Sequence, residues 1–540
     1  MTDILLIQPP IRDYYLTHKR TVPYGLAAVG AALIENGFTV ELLDALAVGK
    51  ARIIPRPNEM AYMDEFYGTA DVSPFALFHH FRHYGYSYEH IKNQIKRIQP
   101  LIAGISSLFT AYSEEALTTA KIVKEACPNC HVVLGGHHPT MMPDHVMACT
   151  SVDFVLRGEG EVSLPMLARV LKEGAAPGSV PGIVYRKANG SLAVSEPAFM
   201  KKLDNYPLPA NRLIRRDYYQ RNKKGAAVVI TGRGCPMRCS YCAVSRDTGT
   251  PYRKRSVESV FCEIQQAISA ADARFIDFED ENLSLDKRWF LQLLNRIQNR
   301  FGTLGIELRA MNGLYPPSLD EELIEAMKSA GFKTLNLSLG STSETQLKRF
   351  NRPDVRTDFE NAVKWAENYD MDSVGYVIAG APHQTPSDSL ADLLYLYRQK
   401  VLAGMSIYYP APGSRDFEAC KNLNVLPRHP ALMRSSAIPI THTTTRTESV
   451  TLLRLSRIAN FIKFLGDHNE AVPEPMPASR SLTDLPVDRI GIGKKLLQAF
   501  LFDGRIRGVT PEGRWFEHSV STDLTRRFIR KAAPLLHHGA

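Results

Sequence analysis

The 540-residue chain contains no uninterrupted apolar run long enough to span a bilayer, which excludes an integral helical membrane protein. It opens with Met1-Thr-Asp-Ile-Leu-Leu-Ile7, the pattern of a strand rather than of a basic, cleavable leader, so a cytoplasmic location is expected. Cysteine is scarce: eight residues in so long a chain make no disulfide framework. Charge of one sign never forms a long run. The net charge of +9 comes from short clusters such as Arg215-Arg216, Lys223-Lys224, Arg253-Lys254-Arg255 and Arg526-Arg527, which read mainly as solvated surface. No stretch interleaves basic and aromatic residues as a nucleic-acid surface would, so no nucleic-acid partner is expected. With 44% hydrophobic and 22% charged residues the composition is that of a globular protein, too long for one core and expected to divide into about two to four domains.

Three of the few cysteines fall in one loop. Cys235, Cys239 and Cys242 lie in Thr231-Gly-Arg-Gly-Cys-Pro-Met-Arg-Cys-Ser-Tyr-Cys-Ala243, directly after the strand-like run Ala226-Ala-Val-Val-Ile230. A glycine-rich loop leaving a strand can curl its backbone around a bulky inorganic group, and the C-x3-C-x2-C spacing aims three thiolates at it. Iron–sulfur clusters are held by such thiolates, and three ligands on a four-iron cube leave one iron open. A structural zinc would need a fourth ligand and usually a second Cys or His pair, and none follows. Cys127-Pro-Asn-Cys130 is a lone C-x2-C without partners and reads as structural, as do Cys149, Cys262 and Cys420.

The first third of the chain alternates short strands with helices. Strands are expected at Ile4–Ile7, Thr39–Leu43, Leu101–Ile105, His131–Leu134 and Val152–Leu156, and helices at Tyr24–Asn36, Glu114–Ala126 and Leu164–Leu171. This is the pattern of a doubly wound parallel sheet, whose ligands bind beyond the carboxyl ends of its strands. Residues 45–99 form an aromatic, partly helical insertion. A polar stretch, Lys172 to Tyr206, leads to a second unit with strand-like runs at 226–230, 274–278, 305–309, 334–338, 373–378 and 405–409, six strands that suit an incomplete (β/α) barrel. A helix is expected over Leu452–Leu465, whereas residues 473–540 carry no clear pattern. The division expected is 1–190 for the sheet domain, 191–222 for a linker, 223–415 for the barrel and 416–540 for a mostly helical region over the barrel mouth.

The cysteine loop, with Tyr241 just before its last cysteine, resembles the signature of the radical S-adenosylmethionine (radical SAM) enzymes. The pieces Ile4-Leu-Leu-Ile-Gln-Pro-Pro10, Val22-Pro-Tyr-Gly-Leu-Ala27, Ala103-Gly-Ile-Ser-Ser-Leu-Phe-Thr110, Val132-Val-Leu-Gly-Gly-His-His-Pro139 and Val152-Asp-Phe-Val-Leu-Arg-Gly-Glu-Gly-Glu161 resemble the cobalamin-binding domain that precedes many of those barrels. Together the likeness covers roughly residues 1 to 415. It implies three cofactors: a [4Fe-4S] cluster on Cys235, Cys239 and Cys242, SAM chelated by the open iron, and cobalamin. It places SAM contacts at Tyr241, Asp280, Glu281, Asn282, Ser338, Gly340, Ile378 and Tyr409, with Ser338 standing where the family often has Glu. It places cobalamin contacts at Gln8, Pro9, Ser106, Ser107, Thr110, Gly135, Gly136, His137, Gly158, Glu159 and Gly160. Arg309, Asn312 and Tyr408 leave strand ends and are expected either to touch substrate or to pack the barrel. The motif Asp-x-His-x-x-Gly, which supplies a lower cobalt ligand in some cobalamin proteins, is missing; His18, His137 and His138 are the histidines nearest that role.

The resemblance implies an enzyme, foremost a methyltransferase acting on an unactivated carbon or a phosphinate. In that scheme one SAM provides the methyl group through cobalamin and a second provides the radical. The alternatives are a cyclase or other oxidation, since Phe81-Arg-His-Tyr-Gly-Tyr-Ser-Tyr-Glu-His-Ile91 is similar to the anaerobic protoporphyrin-ester cyclases, and a non-catalytic cobalamin sensor. A small-molecule, lipid or peptide substrate and an external one-electron reductant of flavodoxin or ferredoxin type are the expected partners.

Overall fold

Strands buried on both faces must be covered by helices on both sides, and the amino-terminal apolar runs are covered in this way. In a computed structural model that describes residues 2–16, 22–244, 249–439 and 442–536, they form one seven-stranded sheet. Its strands are β1 (Ile4–Gln8), β2 (Val40–Asp44), β3 (Ile102–Ser106), β4 (His131–Gly135), β5 (Phe154–Leu156), β6 (Ile183–Arg186) and β7 (Leu192–Val194), in the spatial order β7-β6-β5-β4-β3-β1-β2. The first five are parallel and the last two add antiparallel. Successive side chains feed separate cores: Leu5, Ile7, Ala103 and Ile105 on one face, Ile4, Leu6, Ile102 and Val133 on the other. The winding reverses between β1 and β3, so the crevice beyond their carboxyl ends lies between Gln8 and Ser106-Ser107. Residues 183–194, within the polar stretch that the sequence assigns to a connection, instead complete the sheet's edge.

The second unit has six parallel strands: β8 (Lys224–Val229), β9 (Ala273–Phe278), β10 (Glu307–Ala310), β11 (Thr334–Gly340), β12 (Asp372–Ala379) and β13 (Leu402–Ile407). Ladders run through β8, β9 and β10 and through β11, β12 and β13, and the bridges Leu308↔Phe332 and Leu314↔Leu337 join the two halves. Among the described residues no ladder closes β13 onto β8, so the barrel is incomplete. An open edge leaves backbone groups to satisfy. The helix Arg446–Asp467 covers it, and the Asn460 amide both accepts from Ala403 N–H (2.8 Å) and donates to Ala403 C=O (3.0 Å).

The insertion and the carboxyl-terminal region pack on each other. Met60, Met63, Phe66, Tyr67 and Phe75 share one core with the barrel and with Leu455, Ile458, Leu497 and Phe528. The segment expected to be patternless holds the helix Arg489–Asp503, a hairpin of Arg507–Val509 with Trp515–Glu517, and the helix Thr522–Leu536. No helix among the described residues is long and apolar enough to cross a membrane.

Candidate functional site

The cysteine loop is fixed at its root from three directions. Beyond Val229, the N–H groups of Thr231 and Gly232 donate to the Asp280 carboxylate at 3.1 and 2.8 Å, and the Thr231 hydroxyl adds a bond of 2.6 Å. Arg255, paired with buried Glu263, donates to Ile230 C=O at 3.0 Å. Gly232-Arg233 then pairs antiparallel with Arg253-Lys254, so the loop leaves from and returns to one short ladder. Gly234 sits at φ +75°, where a Cβ would lie 2.4 Å from Pro251 O, so this turn requires glycine. Further along, Asn351 donates to Arg238 C=O and Ser240 N–H to Phe350 C=O, both at 3.0 Å, tying the loop's second half to the segment after β11.

Cys235 is buried and Cys239 and Cys242 are half-buried. Burial raises the proton affinity of Cys235 and pushes Cys242 up to about 12, and Cys239 adds to both, so the thiols lie within electrostatic reach of one another. Iron must displace their protons when it binds. Among the described residues no group of three His, Cys, Asp or Glu side chains is arranged to hold a single metal ion, whereas a cube takes each thiolate on a separate iron. Arg352 supplies a matching buried cation. It donates to the Tyr241 hydroxyl (2.8 Å), Ser338 Oγ (2.9 Å) and Ser338 C=O (3.0 Å), and although burial opposes its charge, Tyr241 and Cys239 favour it. A clustered thiol triad beside a buried guanidinium fits an anionic iron–sulfur group.

The turn after β9 divides its polar groups. Asp280 points back into the loop root, where its four bonds are spent; burial still lifts it to about 6. Glu281 keeps access to solvent; the protein packed around it raises its proton affinity, Asp280 adds to this, and Arg233 and Arg253 oppose it. Its charge is felt at Cys235 and Cys242. Asn282 is buried beside Cys235 with its amide oxygen unpartnered in the protein. Ile378 C=O accepts from Gln384 (2.8 Å), and Tyr409 is exposed at the end of β13, while Gly340 turns at φ +85° against Arg352. Tyr408 is buried against Cys420, and Arg309 is paired with Asp277 at 2.8 Å, so both pack the barrel; Asn312 donates to Asp280 C=O at 3.4 Å. Arg352 follows no motif, and sequence reasoning misses it.

Beyond the carboxyl ends of the first sheet lie Gln8, Pro9, Ser106 and the turn at Gly135-Gly136. Gly136 has φ +119°, and a Cβ there would meet Ser107 O at 2.7 Å, so the strand-end loops can close up only around glycine. Two buried polar atoms at this face have no partner in the protein, Ser107 Oγ and His137 Nε2, which is the mark of a slot awaiting a polar ligand. These residues fit a cobalamin tail. His138, by contrast, is fully buried and hydrogen-bonds Thr110 Oγ1 and His145 Nδ1, both at 3.1 Å, and burial with its neighbouring histidines drops it to about 3. His18 lies outside the described residues. Gly158, Glu159 and Gly160 are used within the protein: a Cβ at Gly158 would strike Ala198 O at 2.2 Å, Gly160 packs on Val29, and Glu159 is bound by Arg253 and Met200 N–H.

The two faces meet. The barrel loop at Gly413 lies against Met141, in the short helix that follows Gly136; a Cβ on Gly413 would be 2.6 Å from the Met141 sulfur. Arg434 crosses from the carboxyl-terminal region to Asp13 (3.1 Å) and Arg12 C=O (2.8 Å), and Ser436 also reaches Asp13. The stretch 429–437 lies against the first sheet's strand-end side, with Pro430–Leu432 packed on Thr110–Tyr112, whereas the helix Arg446–Asp467 lies along the barrel's flank.

Residues 229–394 match the model of the radical SAM superfamily and residues 76–168 that of the B12 binding domain. The uncharacterized methyltransferase PH0819 of Pyrococcus horikoshii is 29% identical over 431 residues, 78% of this chain and 84% of its own. The cytidylyl-2-hydroxyethylphosphonate methyltransferase of Streptomyces wedmorensis is 23% identical over 437 residues, 75% of this chain and 78% of its own. In fold, the structure of the cobalamin-dependent S-adenosylmethionine radical enzyme OxsB with aqua-cobalamin and S-adenosylmethionine bound matches with a TM-score of 0.61 at 14% identity, over 93% of this chain and 70% of that one. With a thiol triad at the root of an incomplete barrel and a B12-binding sheet against it, the chain carries a radical SAM domain and a B12-binding domain, and its cofactors are a [4Fe-4S] cluster, SAM and cobalamin.

Proposed function

We propose that this enzyme is a methyltransferase that places a methyl group on an unactivated carbon or a phosphinate of a small-molecule, lipid or peptide substrate. The observation that carries the reading is the meeting of the two faces: the Gly136–Met141 turn of the first sheet abuts the Gly413 loop of the barrel, on the side where the cysteine loop leaves β8. Both relatives named above are called methyltransferases. When bound, the cluster and SAM supply a carbon-centred radical and cobalamin carries the methyl group. The chain's own part is placement and exclusion of water. Cys235, Cys239 and Cys242 hold the cluster, Glu281 and Asn282 offer acceptors beside it for the SAM amino group, and the Tyr241–Arg352–Ser338 bonds stiffen the wall opposite. Ser106, Ser107, Thr110, Gly135, Gly136 and His137 form the cobalamin slot, with the stretch around 434–437 beside it.

Products measured under anaerobic, reducing conditions test this. Methyl transfer consumes SAM in two ways, so S-adenosylhomocysteine and 5'-deoxyadenosine are expected in comparable amounts, both dependent on cobalamin and on Cys239. Deoxyadenosine alone during turnover would replace methyl transfer with cyclisation or another radical outcome, and turnover of neither would leave a sensor.

A further inference from the structure

We propose that Glu159 and Glu161 are positioning residues that grip both feet of the cluster loop and thereby set the place of the cysteine triad, an inference that rests on the triad holding the cluster. The loop departs at Gly232-Arg233 and returns at Arg253-Lys254. The turn after β5 holds each foot by its arginine. Arg253 presents its two terminal nitrogens to the Glu159 carboxylate at 2.8 and 2.9 Å, and Met200 closes the site, donating its N–H to Glu159 (2.6 Å) and accepting from Arg253 (2.8 Å). Arg233 reaches Glu161 at 2.5 and 3.4 Å and comes within 3.5 Å of Glu159. The Glu159 and Glu161 side chains are only 9% and 6% exposed, and those of Arg253 and Arg233 11% and 24%. Paired forks of this kind fix direction as well as distance, which a lysine could not do.

Other bonds join the domains away from the loop's feet, among them Arg434 with Asp13 and the Tyr219 hydroxyl with Asp44 (2.6 Å), so the Gly158–Glu161 turn is not needed merely to weld them.

Full-length protein, reconstituted anaerobically, tests this as wild type, Glu159→Gln, Glu161→Gln and Asp13→Asn. Iron and sulfide content, thermal melting, the electron paramagnetic resonance spectrum of the reduced cluster with and without SAM, and SAM affinity are read on each. A displacement of about 1 Å can cost up to ~100-fold at a reacting centre, and partial release of the loop is expected to weaken SAM binding by roughly tenfold. Both glutamate variants are expected to keep their iron but to show shifted spectra, while Asp13→Asn keeps the wild-type spectrum. Iron-replete glutamate variants with wild-type spectra and affinity would overturn the proposal, as would the same shift in Asp13→Asn, which would mean general loosening of the interface. If Glu161→Gln does not fold, Arg233→Lys, which keeps the charge and loses the fork, is read in the same way. A wild type without a cluster overturns the reading of the triad itself.

Discussion

At the scale of single residues, neighbours in sequence separate by function. Two positions past the end of β9, Asp280 is buried against the backbone of the loop root while its neighbour Glu281 keeps access to solvent. The acidic turn after the second barrel strand is legible as a polar site, but one sequence cannot say which carboxylate faces the ligand and which the backbone. Asp280 holds the loop root, so Asp280→Ala should leave the N–H groups of Thr231 and Gly232 without an acceptor, at a cost of about 1–3 kcal/mol for each buried group, and reduce reconstituted iron sharply. Asp280→Asn, which retains an acceptor, should keep most of it; iron analysis of the two variants decides. Arg352 was illegible for a related reason: its role depends on Tyr241 and Ser338, 111 and 14 positions away, brought together only by the barrel. A pH effect belongs at this scale as well. Burial raises Asp44 to about 6 although the Tyr219 hydroxyl and two backbone N–H groups bind its charged form. The native state therefore holds this proton more tightly than the unfolded chain does, and the group's contribution to stability is lost as pH rises from about 4 to about 6, by on the order of 2 kcal/mol. Asp44→Asn should flatten that fall in denaturant-unfolding curves taken across the same window.

At the scale of elements, strands and helices were legible where an apolar period meets a glycine or polar stop. The first five strands lie within two residues of their expected places, because each is a short apolar run ended by such a signal. The last barrel strand is displaced toward the amino terminus, to Leu402–Ile407, since Tyr408 turns into the core beside Cys420. Strands β6 and β7 are hard to read from sequence because they are only four and three residues long, too short to show a period. The strand-end glycines permit a test of the cobalamin slot that separates protein sterics from ligand sterics. A Cβ on Gly136 clashes with Ser107 in the protein alone, so Gly136→Ala should both destabilise the fold and lose cobalamin. On Gly135 the nearest neighbour of a Cβ, Leu156 O, is 3.9 Å away, so Gly135→Ala should melt as the wild type does. If cobalamin lies against this strand end, Gly135→Ala will nonetheless bind it at least about tenfold more weakly, a penalty of ~1.4 kcal/mol. Wild-type affinity, followed by absorbance titration, would move the ligand elsewhere.

At the scale of the whole molecule, the order of domains is written in motifs, but the partnership between distant segments is not. Nothing in residues 45–99 announces that they will share a core with residues 446–532, because the contacts are ordinary apolar packing and bonds to backbone groups. Asp71 stands at their junction. Its carboxylate accepts from Val509 N–H (3.2 Å), His518 (3.0 Å) and Ser73 N–H (2.9 Å), with Arg454 at 3.9 Å; Arg454 itself reaches Phe75 C=O and Phe66 C=O. Burial holds His518 below its ordinary proton affinity, so the junction depends on the Asp71 charge facing Arg454 more than on a second cation. Removing one member of such a group leaves the other buried charge uncompensated, at a cost of about 3–5 kcal/mol. Asp71→Ala is therefore expected to lower stability by about that amount and to raise amide hydrogen exchange together in residues 58–81 and 505–520, two stretches more than 400 positions apart, as the 438 positions between Asp71 and Val509 make plain. Exchange in β3 and β4, on separate cores, should stay as in the wild type. Loosening confined to one of the two stretches would show that the insertion and the carboxyl-terminal region fold independently, each held by the barrel rather than by the other.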